Sequence, residues 1–184
     1  LDSTLAARVM MEQGIELEAL NFMTVFCTCT NRGETCLASQ KAVEKLGIPL
    51  RVFNVSEEYL NVVKHPAHGY GRNMNPCIDC RIFMLKKARE IMDEVGASFI
   101  VTGEVLGQRP MSQRRDAMRL VERESRLAGL LLRPLSAEVQ PQAARENRLQ
   151  HPLRLGGEQN QHRARWRLFE GLEKSIGGGL IHPV

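Results

Sequence analysis

Two cysteines three residues apart, Cys77 and Cys80, are the side chains in this sequence with the clearest chemical potential. They follow Pro76, a residue that favours the start of a helix, and apolar residues at helical spacing continue from them to Val95. Both thiols are therefore expected near the positive end of a helix dipole, where the reactive thiolate is favoured. The spacing predicts a redox pair, half of a metal site, or a sulfur-handling nucleophile with its partner. Two small apolar residues at a helix start are the alternative.

Three further cysteines, Cys27, Cys29 and Cys36, lie close together in the first quarter of the chain. Together with Cys77 and Cys80 they are candidate metal ligands, and ordinary thiols are the alternative. An odd number of cysteines without a secretion signal predicts free or metal-bound thiols in a reducing compartment. We therefore expect a cytoplasmic protein.

The segment from Gly103 to Arg115 directly follows a short apolar run that reads as a strand. Its glycines allow a close approach of the backbone to a ligand, and cations follow at once. Arg109, Arg114 and Arg115 are candidates to bind phosphates of ATP or RNA. An ordinary solvated loop is the alternative.

Helical and strand patterns alternate along the first 136 residues. Strands are predicted at 17–26, 50–55, 98–102 and 129–134, with helices at 4–13, 36–46, 56–64, 77–95 and 112–125. This order predicts an α/β fold, a parallel sheet with helices on both faces. The cysteines and the segment at Gly103 all fall near the carboxyl ends of strands, where such sheets place their reactive groups.

The remaining residues, 137–184, are rich in Gln and Arg and show no clear period, so we expect a divergent or poorly ordered tail with at most a short helix at 166–176. No apolar run is long enough for a membrane span, and no membrane partner is expected. The net charge is +4, and the segment from Arg89 to Arg167 contains Arg but no Lys. This suits a nucleic-acid or nucleotide partner, and a GC-rich genome explains it equally well.

Several motifs in order along the chain resemble the PP-loop ATP pyrophosphatases, in particular the branch of tRNA thiouridylases, over residues 1–137. The matching segments are Leu1-Asp2-Ser3-Thr4, Phe26-Cys27-Thr28-Cys29-Thr30, His68-Gly69-Tyr70-Gly71, Asn75 to Arg81 and Thr102 to Gln113. The first of these corresponds to the second half of a Ser-Gly-Gly-x-Asp-Ser loop. Since the chain does not start with Met, we expect it to begin inside a longer protein.

The resemblance implies a specific activity, the ATP-dependent thiolation of uridine in tRNA. The uridine carbonyl oxygen is adenylated, pyrophosphate leaves, and sulfur from a protein persulfide or from sulfide displaces AMP. Cys77 and Cys80 match family cysteines that either carry persulfide sulfur or hold an iron–sulfur cluster. Mg²⁺ is expected to offset the phosphate charge. The implied ATP-binding residues are Asp2, Ser3, Thr4, Gly103 and Gln108.

Two other functions stay open from the sequence, because the Ser-Gly-Gly half of the ATP loop is absent. One is a catalytically inactive remnant of the same fold that binds RNA or metal. The other is a PP-loop enzyme that adenylates a substrate other than tRNA.

Overall fold

The computed structural model describes residues 2–27, 34–71, 74–109, 111–136 and 165–169, with only the backbone described at 34–38 and 165–169. The helices are α1 (Asp2–Glu12), α2 (Glu34–Leu46), α3 (Ser56–Lys64), α4 (Cys77–Glu94) and α5 (Arg115–Glu124). The strands are β1 (Glu16–Met23), β2 (Leu50–Asn54), β3 (Ile100–Thr102), β4 (Leu131–Leu132) and β5 (Arg165–Phe169). All strand pairings are parallel, in the order β2-β1-β5-β3-β4.

Helices pack against both faces of this sheet. Along β1, Leu17 and Ala19 face a core shared with α1 and α2, whereas Leu20 and Phe22 face a core shared with α3, α4 and α5. Such alternation follows from the two-residue repeat of a strand, which sends successive side chains to opposite faces. The predicted α/β fold with helices on both faces is confirmed.

Strand β5 corrects the prediction for the C-terminal region. Residues 166–169 were expected in a tail or a short helix, but Arg165–Phe169 forms the middle strand of the sheet. It pairs with β1 from Glu16 to Leu20 and with β3 from Ile100 to Thr102. The sequence Arg-Trp-Arg-Leu-Phe alternates cationic and apolar residues, a strand pattern that the surrounding polar composition obscured. The α/β unit therefore extends beyond residue 136.

The parallel arrangement brings the segments that follow β1 and β3 to one edge of the sheet, as the sequence predicted. This carboxyl edge carries the residues described below. Among the described residues, no helix is long and apolar enough to cross a membrane.

Candidate active site

The two cysteines of the C-x-x-C motif occupy the first turn of α4, directly after Pro76. The Cys80 amide donates a hydrogen bond to the Pro76 carbonyl over 2.8 Å, and this bond closes the first turn of the helix. Cys80 is fully buried in the apolar core, while Cys77 is only partly buried. Both are free thiols. The same motif therefore presents one accessible thiol and one enclosed thiol, and we call it the dithiol turn.

Burial dominates the acidity of both thiols. It raises the pKa of Cys80 to about 12, although the hydroxyl of Tyr59 and the cation of Arg81 act in the opposite direction. It also raises the pKa of Cys77, against the opposing charges of Arg109 and Arg81. The expectation that the helix start favours both thiolates is thus wrong for this arrangement, because loss of hydration outweighs the nearby positive charges.

Tyr59 of α3 encloses Cys80 from the side of β1. Its ring is buried. Burial is the main cause that raises the pKa of its hydroxyl, and the neighbouring Cys80 thiol raises this pKa further. Phe26, which follows β1, packs edge-to-face on Tyr59 with ring centroids 6.0 Å apart. Phe26 itself is 41% exposed, so an aromatic surface extends from the buried thiol to solvent.

Asp79, between the two cysteines, ties the preceding loop to the dithiol turn. Its carboxylate accepts hydrogen bonds from the Ala67 and His68 amides at 3.1 and 3.0 Å and lies 2.9 Å from His68 Nδ1. The other ring nitrogen of His68 lies 3.3 Å from Glu124 Oε1 on α5. The hydrogen bond to Asp79 raises the pKa of His68, so the imidazolium form is favoured.

Four buried charges connect the dithiol turn to the end of β3, and we call Arg81, Glu104, Glu122 and Arg133 the buried charge network. Glu104 lies 3.0 Å from Arg81 Nε through one carboxylate oxygen and 2.8 Å from Arg133 Nε through the other. Arg133 Nη1 in turn lies 2.8 Å from Glu122. Burial alone would raise the pKa of Glu104, but Arg81 and Arg133 outweigh it and hold this pKa below its usual value.

Gly103, the residue before Glu104, touches the start of α1. A Cβ at this position would overlap the backbone of Asp2 and Ser3, so only glycine allows this approach. The structure thus brings together the residues at the start of α1 and the glycine after β3, three of the predicted ATP-binding positions. Thr4 follows in the same turn of α1.

The loop after Gly103 is closed by Gln113. The Gln113 carbonyl accepts from the Gly107 amide, and its side-chain oxygen accepts from the Arg109 amide at 3.0 Å. Arg109 is close enough to lower the pKa of Cys77, whereas Gln108 is exposed. Arg114 and Arg115 are exposed at the start of α5. Their predicted contacts with RNA stay a prediction.

The proposed five-cysteine metal site is not assembled by the described residues. Cys27 is disulfide-bonded, so the expectation of a free or metal-bound thiol there is wrong for this oxidised form. Cys29 and the side chain of Cys36 lie outside the described residues. Within the described part of the chain, no group of three or more His, Cys, Asp or Glu side chains has the arrangement of a metal site.

Sequence reasoning did not assign several residues that build this site. Arg81 and Glu104 each directly follow a predicted site residue. A charged residue at such a position, beside apolar residues, could have identified them as part of the site. Arg133, which ends the apolar run of residues 130–132, also carried a signal of this kind, whereas Tyr59 and Glu122 carried none. Only the fold brings these distant segments together.

Two curated proteins are similar to part of this chain. A probable tRNA sulfurtransferase from Lysinibacillus sphaericus is 32% identical over 108 residues, 59% of this chain and 26% of that protein. The tRNA-specific 2-thiouridylase MnmA of Pseudomonas fluorescens is 34% identical over 132 residues, 65% of this chain and 34% of that protein. The chain thus spans about a third or less of the length of these curated relatives. No solved structure matches.

The sequence model of one protein family matches most of the chain. This family is described as Thiamine biosynthesis protein (ThiI), and the match covers residues 1–140. Together with the relatives above, it confirms the resemblance to the PP-loop tRNA thiouridylases. The chain belongs to the ThiI family.

Proposed function

We propose that this protein thiolates uridine in tRNA at the expense of ATP, with sulfur carried by the dithiol turn. The observation that carries this proposal is the link between Arg81 and Glu104. It joins the turn bearing Cys77 and Cys80 to the residue after Gly103, which itself touches the start of α1. This link supports the proposal because the proposed sulfur carrier and the segment proposed to bind phosphates then lie at one edge of the sheet.

The start of α1 has the properties of a nucleotide-binding segment. The first backbone N–H groups of a helix have no partner within the helix, and together with the dipole they favour phosphate. Asp2 stands in this first turn and supplies a carboxylate oxygen of the kind that Mg²⁺ prefers. When bound, Mg²⁺ would offset the charge of the phosphates.

An iron–sulfur cluster does not fit the described donor set. Clusters are held by several thiolates, whereas here Cys80 is enclosed in the apolar core and Cys27 is oxidised. We therefore propose that sulfur is carried as a persulfide on Cys77, the thiol that a protein persulfide donor can reach.

Sulfur transfer then follows in two displacements. The terminal sulfur of the Cys77 persulfide attacks the carbon that bears the adenylated oxygen, and AMP leaves with that oxygen. Cys80 attacks the Cys77 sulfur, which breaks the sulfur–sulfur bond and releases the thiolated base, and the proton of the Cys80 thiol passes to that base. The product is a disulfide between Cys77 and Cys80, and an external dithiol must reduce it before the next cycle.

Recognition of tRNA is proposed for the exposed cations of α5. Arg114 and Arg115 are exposed at its start, and Arg109 lies near Cys77. Contacts of these guanidinium groups with phosphates would make binding fall steeply with salt concentration.

The test is a thiolation assay with the 184-residue chain, a tRNA transcript, ATP, Mg²⁺ and a persulfide donor. We expect thiouridine in the digested tRNA, measured by mass spectrometry, and a loss of at least 100-fold in Cys77→Ala and Cys80→Ala. Val95→Ala, directly after the far end of α4, is the matched control and should retain activity.

Two results would contradict the proposal. Thiouridine formation that survives in Cys77→Ala would remove the sulfur-carrying role of this residue. Release of pyrophosphate that tRNA does not stimulate would favour an enzyme that adenylates another substrate.

A further inference from the structure

We propose that Glu104 is a positioning residue that holds the dithiol turn against the start of α1 through Arg81. The inference deepens the proposed function, since it concerns how the sulfur carrier is kept in place relative to the nucleotide segment. It rests on the ion pair between Glu104 and Arg81 and on the two residues that precede them in the chain, Gly103 and Cys80.

Glu104 makes several polar contacts at the end of β3. One carboxylate oxygen binds Arg81, and the other accepts from Arg133 Nε and, at 3.1 Å, from the Thr102 hydroxyl. Its backbone carbonyl accepts a hydrogen bond from the Ser136 hydroxyl at 2.7 Å. The position of Glu104 is thus set by several directional contacts, whereas Arg81 receives its described ion pair from Glu104 alone.

The apolar packing of α4 does not by itself fix the dithiol turn. Apolar contacts are non-directional, so a small rotation or shift of the first turn costs little contact area. A charge-assisted hydrogen bond between buried groups depends on distance and angle, and it resists such a shift. Because Arg81 directly follows Cys80, the ion pair keeps Cys80 enclosed and leaves Cys77 accessible.

The network contains its own matched control. Glu122 is a buried carboxylate like Glu104 and binds the same Arg133, but it is not paired with Arg81. Replacement of either glutamate by Gln leaves one positive charge in excess within the network. A difference between Glu104→Gln and Glu122→Gln therefore reports the contact with Arg81.

The experiment measures alkylation of the folded chain by iodoacetamide at one fixed pH, with the modified cysteine identified by mass spectrometry. In the wild type, Cys77 should react much faster than Cys80. In Glu104→Gln we expect the rate at Cys80 relative to Cys77 to rise at least tenfold and thiouridine formation to fall at least tenfold. Glu122→Gln should lower the melting temperature similarly but change the ratio less than twofold.

A double variant separates positioning from stability. Arg81→Gln/Glu104→Gln removes one charge of each sign, so its melting temperature should recover toward the wild type while the alkylation ratio and thiouridine formation stay altered. If the alkylation ratio and thiouridine formation recovered together with the melting temperature, the proposal would be overturned. An alkylation ratio in Glu122→Gln as large as in Glu104→Gln would overturn it as well.

The two readouts also separate this inference from the proposed function. A wild-type chain that forms no thiouridine would contradict the proposed function, and the alkylation ratio would still decide whether Glu104 positions the turn. A wild-type chain that forms thiouridine, with a ratio unchanged in Glu104→Gln, would contradict the positioning role alone.

Discussion

The two sides of the carboxyl edge are built in different ways. On the β3 side, comprising Gly103, Glu104 and the buried charge network, the contacts are ion pairs and hydrogen bonds between buried groups. On the β1 side, comprising Thr24 to Cys27, the side chains of Val25 and Phe26 are 45% and 41% exposed. There the contact with the dithiol turn is aromatic: Phe26 packs on Tyr59, and Tyr59 lies beside Cys80.

This difference indicates which side sets the position of the thiols. Directional contacts between buried charges define one geometry, whereas aromatic rings packed edge-to-face tolerate small displacements. The dithiol turn is accordingly expected to be held from the β3 side and only covered from the β1 side. Changes on the β3 side should therefore have larger effects than changes of similar size on the β1 side.

The largest effect is expected for Arg133→Met, which breaks the β3 side. The change leaves Glu122 and one oxygen of Glu104 without their cation, and removal of one partner of a buried ion pair costs about 3–5 kcal/mol. Urea unfolding followed by circular dichroism measures it. Arg8→Met removes an exposed pair with Glu12, with a distance of 3.0 Å, and should cost less than about 1 kcal/mol. Equal losses in the two variants would mean that burial of the network does not matter.

A second prediction joins the two sides through β5, which pairs with both β1 and β3. Proline at position 168 has no N–H for the strand ladder and is poorly tolerated in a central strand, so Leu168→Pro should destabilise the fold by about 3 kcal/mol. Leu168→Val keeps the amide and is the control. Unfolding free energies from urea titration compare them, and similar values for the two variants would contradict the central position of β5.

Tyr59→Phe tests the β1 side and should have a smaller effect. The ring packing with Phe26 is kept, and only the hydroxyl beside Cys80 is lost, which costs about 1 kcal/mol. Thermal unfolding measures the change. Tyr70→Phe, whose hydroxyl donates to the Val63 carbonyl at an exposed site, is the comparison. A loss for Tyr59→Phe as large as that of Arg133→Met would show that the two sides hold the turn equally.

The smallest effect concerns His68, which joins the preceding loop to both Asp79 and Glu124. Its pKa is raised in the folded state, chiefly by the hydrogen bond to Asp79. The stability from this contact is therefore fully present below the unfolded pKa of about 6.5 and is lost as the pH rises through the folded pKa. Unfolding free energies across this range should fall in the wild type and change less in His68→Gln. His65→Gln, in the same loop, should keep the wild-type profile, and a flat profile in the wild type would exclude the contact.

The helices and strands of residues 2–136 were predictable because their apolar residues repeat with a clear period. The first turn of α4 is an example, since Pro76 and the following pattern predict a helix that starts at Cys77, where the structure has it, with Cys80 in the same turn. Strand β5 was not predictable in the same way. Its five residues carry a strand pattern, but a short pattern in a polar segment does not indicate which strands it joins.

The site shows the same division. The start of α1 and Gly103 were assigned from motifs, and the structure brings them into contact. The pKa of both thiols was expected to be lowered, but it is raised. A sequence shows nearby charges and helix starts, but not the burial that outweighs them. The two cysteines were treated alike for the same reason.

By itself, the sequence determined the fold class, the family and the turn that carries Cys77 and Cys80, since periodicity and motif order are local properties of the chain. Only the tertiary structure decided which of these thiols is enclosed, that Arg81, Glu104, Glu122 and Arg133 form one network, and that β5 lies in the centre of the sheet. These properties depend on contacts between residues far apart in the chain. Burial and charge pairing arise from such contacts, and no local pattern records them.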